Sequence, residues 1–473
     1  MRERPLKVMF VGRSTSHFSY YESIITGLRN RGAVIDLVLD KHWSKENLGG
    51  ANGAISQYQA LNPWFGYRWL VRRSDAFRNP IFKLRELRSY RSYLVRKETT
   101  PFYIHRWRKY LAPELQKMLD VRGFTRFLKS RATGWGFQVI ESLTPPDQGI
   151  VDFIRASAPD AVILSPMNMR YSEDIDYAKA ARSLGIPTAV STLSWDNLST
   201  KGVFAVKPDR LFVWNKYQKA DALEIQQVKP DSIAVAGSPF FDKWFDETGK
   251  LQSRAAFCRR VGLNPRKKIL LYLGSSKNIA KDEAWVVAKI LKQMRASDDP
   301  LLQTCQILVR PHPANADIYA NTKAQGLVVF PKDGALPETV EQFADMRNSF
   351  HHADVAVNIN TSGMIDAVLA DLPTFAVRIG KYDYTQSGSK HFQYLEKGEA
   401  IYLRGEKDIA EGIGEVLNGA DPKAEQRRAF AQMFARPQGL ERPAGDVIAK
   451  SVLRMAAEHR RVQQGGKPAK KLP

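Results

Sequence analysis

The chain has 473 residues, too many for one ordinary core, so two domains of roughly 200 residues each are expected. Apolar residues make up 44%, which excludes a disordered composition, and two unpatterned cysteines, Cys258 and Cys305, exclude a disulfide scaffold or a Cys-based zinc site and fit a reducing cytoplasm. The formal charge of +22 is concentrated: between Arg68 and Arg131 there are 18 Lys/Arg against 5 Asp/Glu.

The first apolar stretch, Val8 to Val11, is too short for a secretory signal core. No apolar run reaches the roughly 18 residues of a membrane span. A cytoplasmic protein is expected, with peripheral contact at the inner membrane face as its one route to lipid.

Lys7 to Gly12 reads as a buried parallel strand, Tyr21 to Arg31 as a helix closed by Gly32, and Ala33 to Asp40 as a second strand. This βαβ unit sets the expectation of a doubly wound sheet. A basic, aromatic region, about 60–135, breaks the rhythm and reads as a helical insertion. Its rings include Trp69, Tyr90, Tyr93, Tyr103, Trp107 and Tyr110. Basic residues among aromatics suit an anionic membrane or a lipid-linked acceptor. The same composition fits nucleic acid, or a solvated insertion with its own small core.

The rhythm then resumes. Strands are expected at 160–164, 187–192, 210–214 and 232–236, with helices at 174–184 and 216–226. Gly237-Ser238-Pro239 reads as an interdomain hinge. A second series follows, with strands at 268–273, 306–310, 327–331, 355–359 and 374–378 and helices at 282–295, 409–417 and 441–460. The expected organisation is an N-terminal Rossmann-like domain at 1–240, a C-terminal Rossmann-like domain at 250–455, and a disordered basic tail at 460–473.

In open parallel sheets, ligands bind at the carboxyl ends of the strands. Three loops of the second series qualify. Gly274-Ser275-Ser276-Lys277 offers backbone N–H groups, hydroxyls and a cation to a phosphate, although an ordinary turn would look the same. Arg310-Pro311-His312-Pro313 combines a stiff turn with a guanidinium and an imidazole, which suit phosphate oxygens. Asn360-Thr361-Ser362-Gly363 opens a helix whose free N–H groups favour an anion, and Asp366 follows within reach of a ribose diol. Thr361 or Ser362 as a plain helix cap is the alternative.

A strand ending in Arg-Pro-His-Pro, followed by a Thr-Ser-Gly loop, a helix, Asp366 and Leu372-Pro373, resembles the C-terminal half of GT-B glycosyltransferases. It is also similar to UDP-GlcNAc 2-epimerases and CDP-glycerol glycerophosphotransferases, which share that fold. The resemblance covers about 265–405. It implies two Rossmann-like domains facing a cleft, the small-residue loop on a nucleotide diphosphate, an acid at Asp366 on the ribose, and His312 in the donor site. Many of those relatives carry Glu, often a Glu pair, where this chain has Asp366-Ala367.

In the first series, Gly12 to His17 follows the opening strand, and His17 is a candidate base. Glu22 is a weaker candidate. Ser194 to Gly202 gathers Trp195, a candidate sugar platform, Asp196, a second candidate base, and Asn197 and Lys201 as acceptor contacts. An Asx turn at Asp196-Asn197 is the structural alternative. Gly388 to Phe392 is a further candidate polar contact. Asp174-Ile175-Asp176 has the spacing of a metal pair but opens a helix, so no metal and no cofactor beyond the nucleotide-sugar is required.

The expected function is transfer of a sugar from a nucleotide-diphosphate donor to a hydroxyl of a glycan or lipid-linked acceptor, in surface polysaccharide or glycolipid synthesis. A glycerophosphotransferase, a 2-epimerase and a non-enzymatic nucleic-acid-binding protein are the rivals.

Overall fold

The computed structural model describes residues 4–44, 53–246 and 250–465. The chain divides into two compact units, one of residues 1–242 with 434–473 and the other of 243–433.

The first unit holds a parallel sheet of seven strands: β1 (Lys7–Gly12), β2 (Val34–Leu39), β3 (Tyr67–Trp69), β4 (Ala161–Ser165), β5 (Thr188–Ser191), β6 (Arg210–Val213) and β7 (Ile233–Val235). Their order is β3-β2-β1-β4-β5-β6-β7. The central strands are apolar on both faces because helices cover both, and β1 buries Val8, Met9, Phe10 and Val11 completely. The edge strand β3 escapes the sequence reading because it is three residues inside the basic insertion. Arg68 holds it there, bonding Asp36 of β2 at 2.8 and 2.6 Å.

The insertion is helical, at Arg78–Val95, Pro101–Tyr110, Pro113–Met118, Phe124–Lys129 and Arg131–Leu143. Its rings make a local core in which Tyr93 stacks on Trp107 with centroids 5.1 Å apart. Part of its charge is internal. Arg73 and Arg85 are buried and paired with Asp176 at 2.8 and 2.7 Å. Asp176 is therefore an anchor for the insertion, while Asp174, the other acid at the start of helix Asp174–Ser183, accepts the Met167 N–H at 2.9 Å.

The second unit holds a parallel sheet of six strands: β8 (Ile269–Leu273), β9 (Gln306–Arg310), β10 (Leu327–Val329), β11 (Val355–Asn358), β12 (Thr374–Arg378) and β13 (Tyr402–Gly405), in the order β10-β9-β8-β11-β12-β13. The short edge strand β13 was not anticipated.

The domain boundaries need correcting. The sequence places residues 434–455 with the second series, but they belong to the first unit. Helix Ala444–Gln463 buries Ile448, Ala449 and Val452 in the same core as Ile24, Ile25 and Leu28 of helix Glu22–Asn30. A 3.6-residue period shows that one face is covered but not by which sheet. The approach is close. A Cβ on Gly27 would lie 3.1 Å from Ala449 Cβ and 3.2 Å from the Gly445 carbonyl oxygen. Asp242 fixes the start of the returning helix, accepting from the backbone N–H of Ala444 at 2.8 Å and Gly445 at 2.9 Å, from Ser23 Oγ at 2.6 Å and from Arg436 Nε at 3.0 Å. The same helix extends through Gln463, so 460–463 are ordered helix, with Arg460 paired to Asp160. The remainder of the expected tail, 466–473, lies outside the described residues.

Among the described residues no helix is long and apolar enough to cross a membrane. Gly445→Val is expected to destabilise the chain by about 3 kcal/mol or more, since a Cβ there falls inside Ser23. Thermal denaturation checks this, and an unchanged Tm would contradict the close crossing.

Candidate functional site

In the second unit the chain runs outward from β8 through β9 to β10, then restarts at β11 and runs the other way through β12 to β13. The strand order reverses between β8 and β11. At such a switch point the loops leaving the two strands diverge and open a crevice at the carboxyl edge of the sheet. The two loops here are Gly274–Lys277 and Ile359–Gly363, and the Arg310–Pro313 turn of β9 stands beside the first.

Gly274 is required by packing. A Cβ there would lie 3.0 Å from Pro311 Cα and 3.1 Å from the His312 nitrogen, and its own N–H donates to the Arg310 carbonyl at 2.9 Å. Ser275 is wholly buried rather than presented at the surface. Its N–H donates to Glu283 Oε1, while Asn315 Nδ2 donates to its carbonyl at 3.2 Å and to that of Ala280 at 2.8 Å. Burial pushes the Glu283 carboxyl up to about 7. Ser275 Oγ and Asn315 Oδ1 are buried without a hydrogen-bond partner among the described residues. Glu283 and Asn315 thus position the loop. Neither was legible in the sequence, because an acid before a helix and an Asn after a proline turn are common surface features.

Ser276 is half-buried and Lys277 exposed, its ammonium 3.2 Å from Asp317. An exposed pair of this kind is worth little and exchanges readily for a ligand.

His312 accepts the Ala314 N–H on Nδ1 at 3.1 Å. That bond leaves Nε2 with the proton, a directed neutral donor, and burial lowers the imidazole's pKa further. Arg310 is otherwise placed than expected. It shares the strand face of Leu308, which packs under helix Val340–His352, and its Nη1 donates to Ser349 Oγ of that helix at 3.0 Å. The period-2 alternation of β9 therefore turns Arg310 into the sheet's covered face rather than toward a phosphate at its edge. Burial pushes its pKa down to about 10, and no carboxylate pairs with it among the described residues.

On the other side of the crevice, Thr361 Oγ1 accepts the Gly363 N–H at 3.4 Å, and Ser362 is exposed and makes no capping bond. Helix Gly363–Leu369 follows. Asp366 is buried in it, its Oδ1 accepting the Trp244 indole N–H at 2.7 Å, and burial pushes its pKa up to about 6. A ribose contact at Asp366 thus requires exchange of the Trp244 bond. Trp244 was missed because it precedes the second series in a polar stretch. The Gly388–Phe392 segment is structural where Ser389 is concerned. That residue is buried and donates to the Thr385 and Gln386 carbonyls at 2.8 and 3.0 Å.

In the first unit, His17 lies in a short 3-10 turn after β1. Its Nδ1 is buried without a partner among the described residues. Burial, with the charges of Arg13 and Lys201, pushes its pKa down to about 4, so the ring is neutral at pH 7. The 194–202 loop takes the structural alternative. Asp196 accepts from Ser194 Oγ and Thr200 Oγ1, both at 2.6 Å, and pairs with Lys201 at 3.1 Å. Trp195 is buried, and Asn197 is buried and donates to Asn168 Oδ1 at 2.7 Å. Hydroxyls flanking a four-residue helix made that turn, so Asp196 is engaged rather than poised as a base and Trp195 is no open platform. The basic insertion clamps the loop from outside. Tyr93 Oη donates to the Lys201 carbonyl at 2.7 Å, Arg96 Nη1 to that of Ser199 at 2.8 Å and Trp107 Nε1 to that of Thr200 at 3.3 Å.

Among the described residues no group of three or more His, Cys, Asp or Glu side chains could hold a metal ion.

No family model and no curated protein matches the sequence. Solved structures do match in fold. A UDP-GlcNAc 2-epimerase from Neisseria meningitidis bound to UDP-GlcNAc superposes with a TM-score of 0.53 at 12% identity, covering 95% of this chain and 100% of its own. A glycosyltransferase from Rickettsia africae ESF-5 gives 0.53 at 10% identity, covering 97% and 100%. The S. aureus MnaA–UDP co-structure gives 0.51 at 10% identity, covering 98% and 99%.

The depressed His17 has a consequence for stability. The unfolded chain takes up this proton near 6.5 and the folded chain near 4, so stability falls as pH drops through that window and is unaffected above it. His17→Gln is expected to remove that part of the acid-side fall. Tm measured from pH 7.5 to 4 checks this, and a wild-type-to-variant difference that stays constant with pH would contradict it.

Proposed function

We propose that this chain, which has the fold of the GT-B glycosyltransferases and the UDP-GlcNAc 2-epimerases, is a glycosyltransferase that moves a sugar from a nucleotide-diphosphate donor to a hydroxyl acceptor. The observation that carries this reading is the switch point between β8 and β11, flanked by Ser276, Lys277, His312 Nε2–H, Thr361 and Ser362. Neutral donors and one exchangeable cation at a strand edge suit a diphosphate. The Neisseria and S. aureus structures, described with UDP-GlcNAc and UDP, support a nucleotide diphosphate as the ligand class.

In the proposed reaction the acceptor oxygen attacks the anomeric carbon and gives up its proton to a base, for which the first unit offers His17. The bond to the diphosphate oxygen breaks, and the diphosphate leaves with the electron pair. His17 takes the base role in preference to Asp196, whose two oxygens are already occupied. Lys277 and His312 offset the charge of the leaving group, and no divalent metal is required. A glycan or lipid-linked acceptor is favoured by the insertion, which exposes Phe127, Trp135 and Leu143 among basic residues, a composition suited to anionic lipid at the inner membrane face.

The 2-epimerase reading is favoured by the Neisseria structure and needs no acceptor. Incubation with UDP-GlcNAc alone separates the two: conversion without any added hydroxyl acceptor would replace the transferase reading. Thermal shift against UDP, GDP and CDP is expected to single out one nucleotide. His312→Ala and Asp366→Ala are each expected to weaken that nucleotide about tenfold, the worth of one lost charge-assisted bond. Unchanged affinity in both variants would refute the donor site. Turnover that survives EDTA is expected, and its loss would refute the metal-independent mechanism.

A further inference from the structure

In the first unit, helix Arg78–Val95, helix Arg131–Leu143, the Val203–Lys207 segment and Glu224–Gln227 line an open pocket of about 490 Å³. Five cations line it, Arg88, Arg91, Arg96, Arg131 and Lys207, against the single carboxylate of Glu224. Elsewhere in the insertion the chain neutralises buried cations with carboxylates, as Arg73 and Arg85 show. Here it does not. Among the described residues none of the five forms an ion pair.

Their hydrogen bonds go to neutral acceptors. Arg88 donates to the Ala205 carbonyl at 3.1 Å, Arg91 to those of Leu128 and Ser130 at 2.7 and 2.8 Å, and Arg96 to that of Ser199 and to Ser92 Oγ at 2.8 and 3.0 Å. Lys207 donates to the Phe204 carbonyl at 3.0 Å. These bonds fix the heads without cancelling their charge, and Arg96 Nε is buried with no acceptor. Burial first and the nearby Arg88 second push the Lys207 ammonium down to about 7, and no carboxylate raises it. Room has been made for one head: a Cβ on Gly134 would lie 2.8 Å from Arg91 Cζ. A helix-interior glycine costs roughly 1 kcal/mol relative to alanine, so the space has a structural cost.

We propose that this pocket is a phosphate-binding site that takes a phosphomonoester or diphosphate group. Guanidinium groups that line one pocket and are fixed by carbonyls suit the several oxygens of a phosphate. Trp135 lines the same pocket, is 68% exposed, and gives the bound group an aromatic neighbour. The ligand is either a soluble phosphate compound or the headgroup of a lipid. The site shares no residue with the donor loops, so either assignment can fail without the other.

Trp135 supplies the readout. The difference in fluorescence between the wild-type chain and Trp135→Phe isolates its signal from that of the other tryptophans. Inorganic pyrophosphate is expected to change this difference signal saturably. Arg131→Gln and Arg88→Gln/Arg131→Gln are expected to weaken the response about tenfold or more. Arg131 is exposed and makes no side-chain hydrogen bond among the described residues, so the single variant keeps the test valid if the double variant does not fold. Vesicles of phosphatidylglycerol distinguish the sources. A blue shift and co-sedimentation with them, absent with phosphatidylcholine vesicles, assign the site to a lipid headgroup, and a response to pyrophosphate alone assigns it to a soluble ligand. No saturable change with pyrophosphate or phosphatidylglycerol, or an equal response in Arg131→Gln, would overturn the proposal.

Discussion

The candidate donor site depends on one constraint, that a parallel sheet delivers every strand to the same edge and must reverse its strand order somewhere. In the second unit that reversal falls between β8 and β11. Two loops with no common hydrogen-bonded neighbour strand beyond their own pair are forced apart there, and the backbone of each is shaped by what lies behind it. Glu283 and Asn315 hold the Ser275 loop from the interior, while Asn360 Nδ2 bonds the Thr385 carbonyl behind the other loop. The surface chemistry of the site, an imidazole N–H, hydroxyls and a lightly held ammonium, rests on this buried polar support. Such networks carry high stakes in a low-dielectric interior, because a lost partner leaves a costly orphan.

Most of the architecture was legible in the sequence for a simple reason. Central parallel strands are apolar on both faces and therefore read as continuous runs, as Val8 to Val11 and Ile269 to Leu273 do. The edge strands β3 and β13 lack that signature. Glycine positions were legible as loops, but the reason for Gly274, the close passage of Pro311, needed the tertiary structure. Residue types in a loop proved a poorer guide to direction. Arg310 and His312 sit in one four-residue motif, yet one lies under a helix and the other keeps a free nitrogen. The parity of Leu308 and Arg310 held the information, since residues two apart on a strand share a face. The Ser194–Gly202 loop illustrates a different limit. Its carboxylate, amide and hydroxyls satisfy one another, and a polar cluster that closes on itself looks in sequence like one that opens to a ligand.

The basic insertion has two kinds of arginine. Arg73 and Arg85 meet carboxylates of the adjoining core and act as bolts. Arg88, Arg91 and Arg96 end on carbonyls and a hydroxyl, so their positive field persists. Net charge counted along the sequence does not separate these classes, and only the second kind can recruit an anion. Arg96 joins that field to the 194–202 loop through the Ser199 carbonyl, which links an accessory surface physically to the scaffold around β5.

The return of helix Ala444–Gln463 to the first unit bears on how the protein is made. During synthesis the first sheet emerges early, but the helix that covers Ile24, Ile25 and Leu28 emerges only after all of 243–433. Until then the face of helix Glu22–Asn30 that carries Gly27 lacks that cover. The first unit is therefore the first begun and the last finished, and a ribosome stalled before residue 444 holds a nascent chain with an open seam, a substrate for chaperones rather than a folded half.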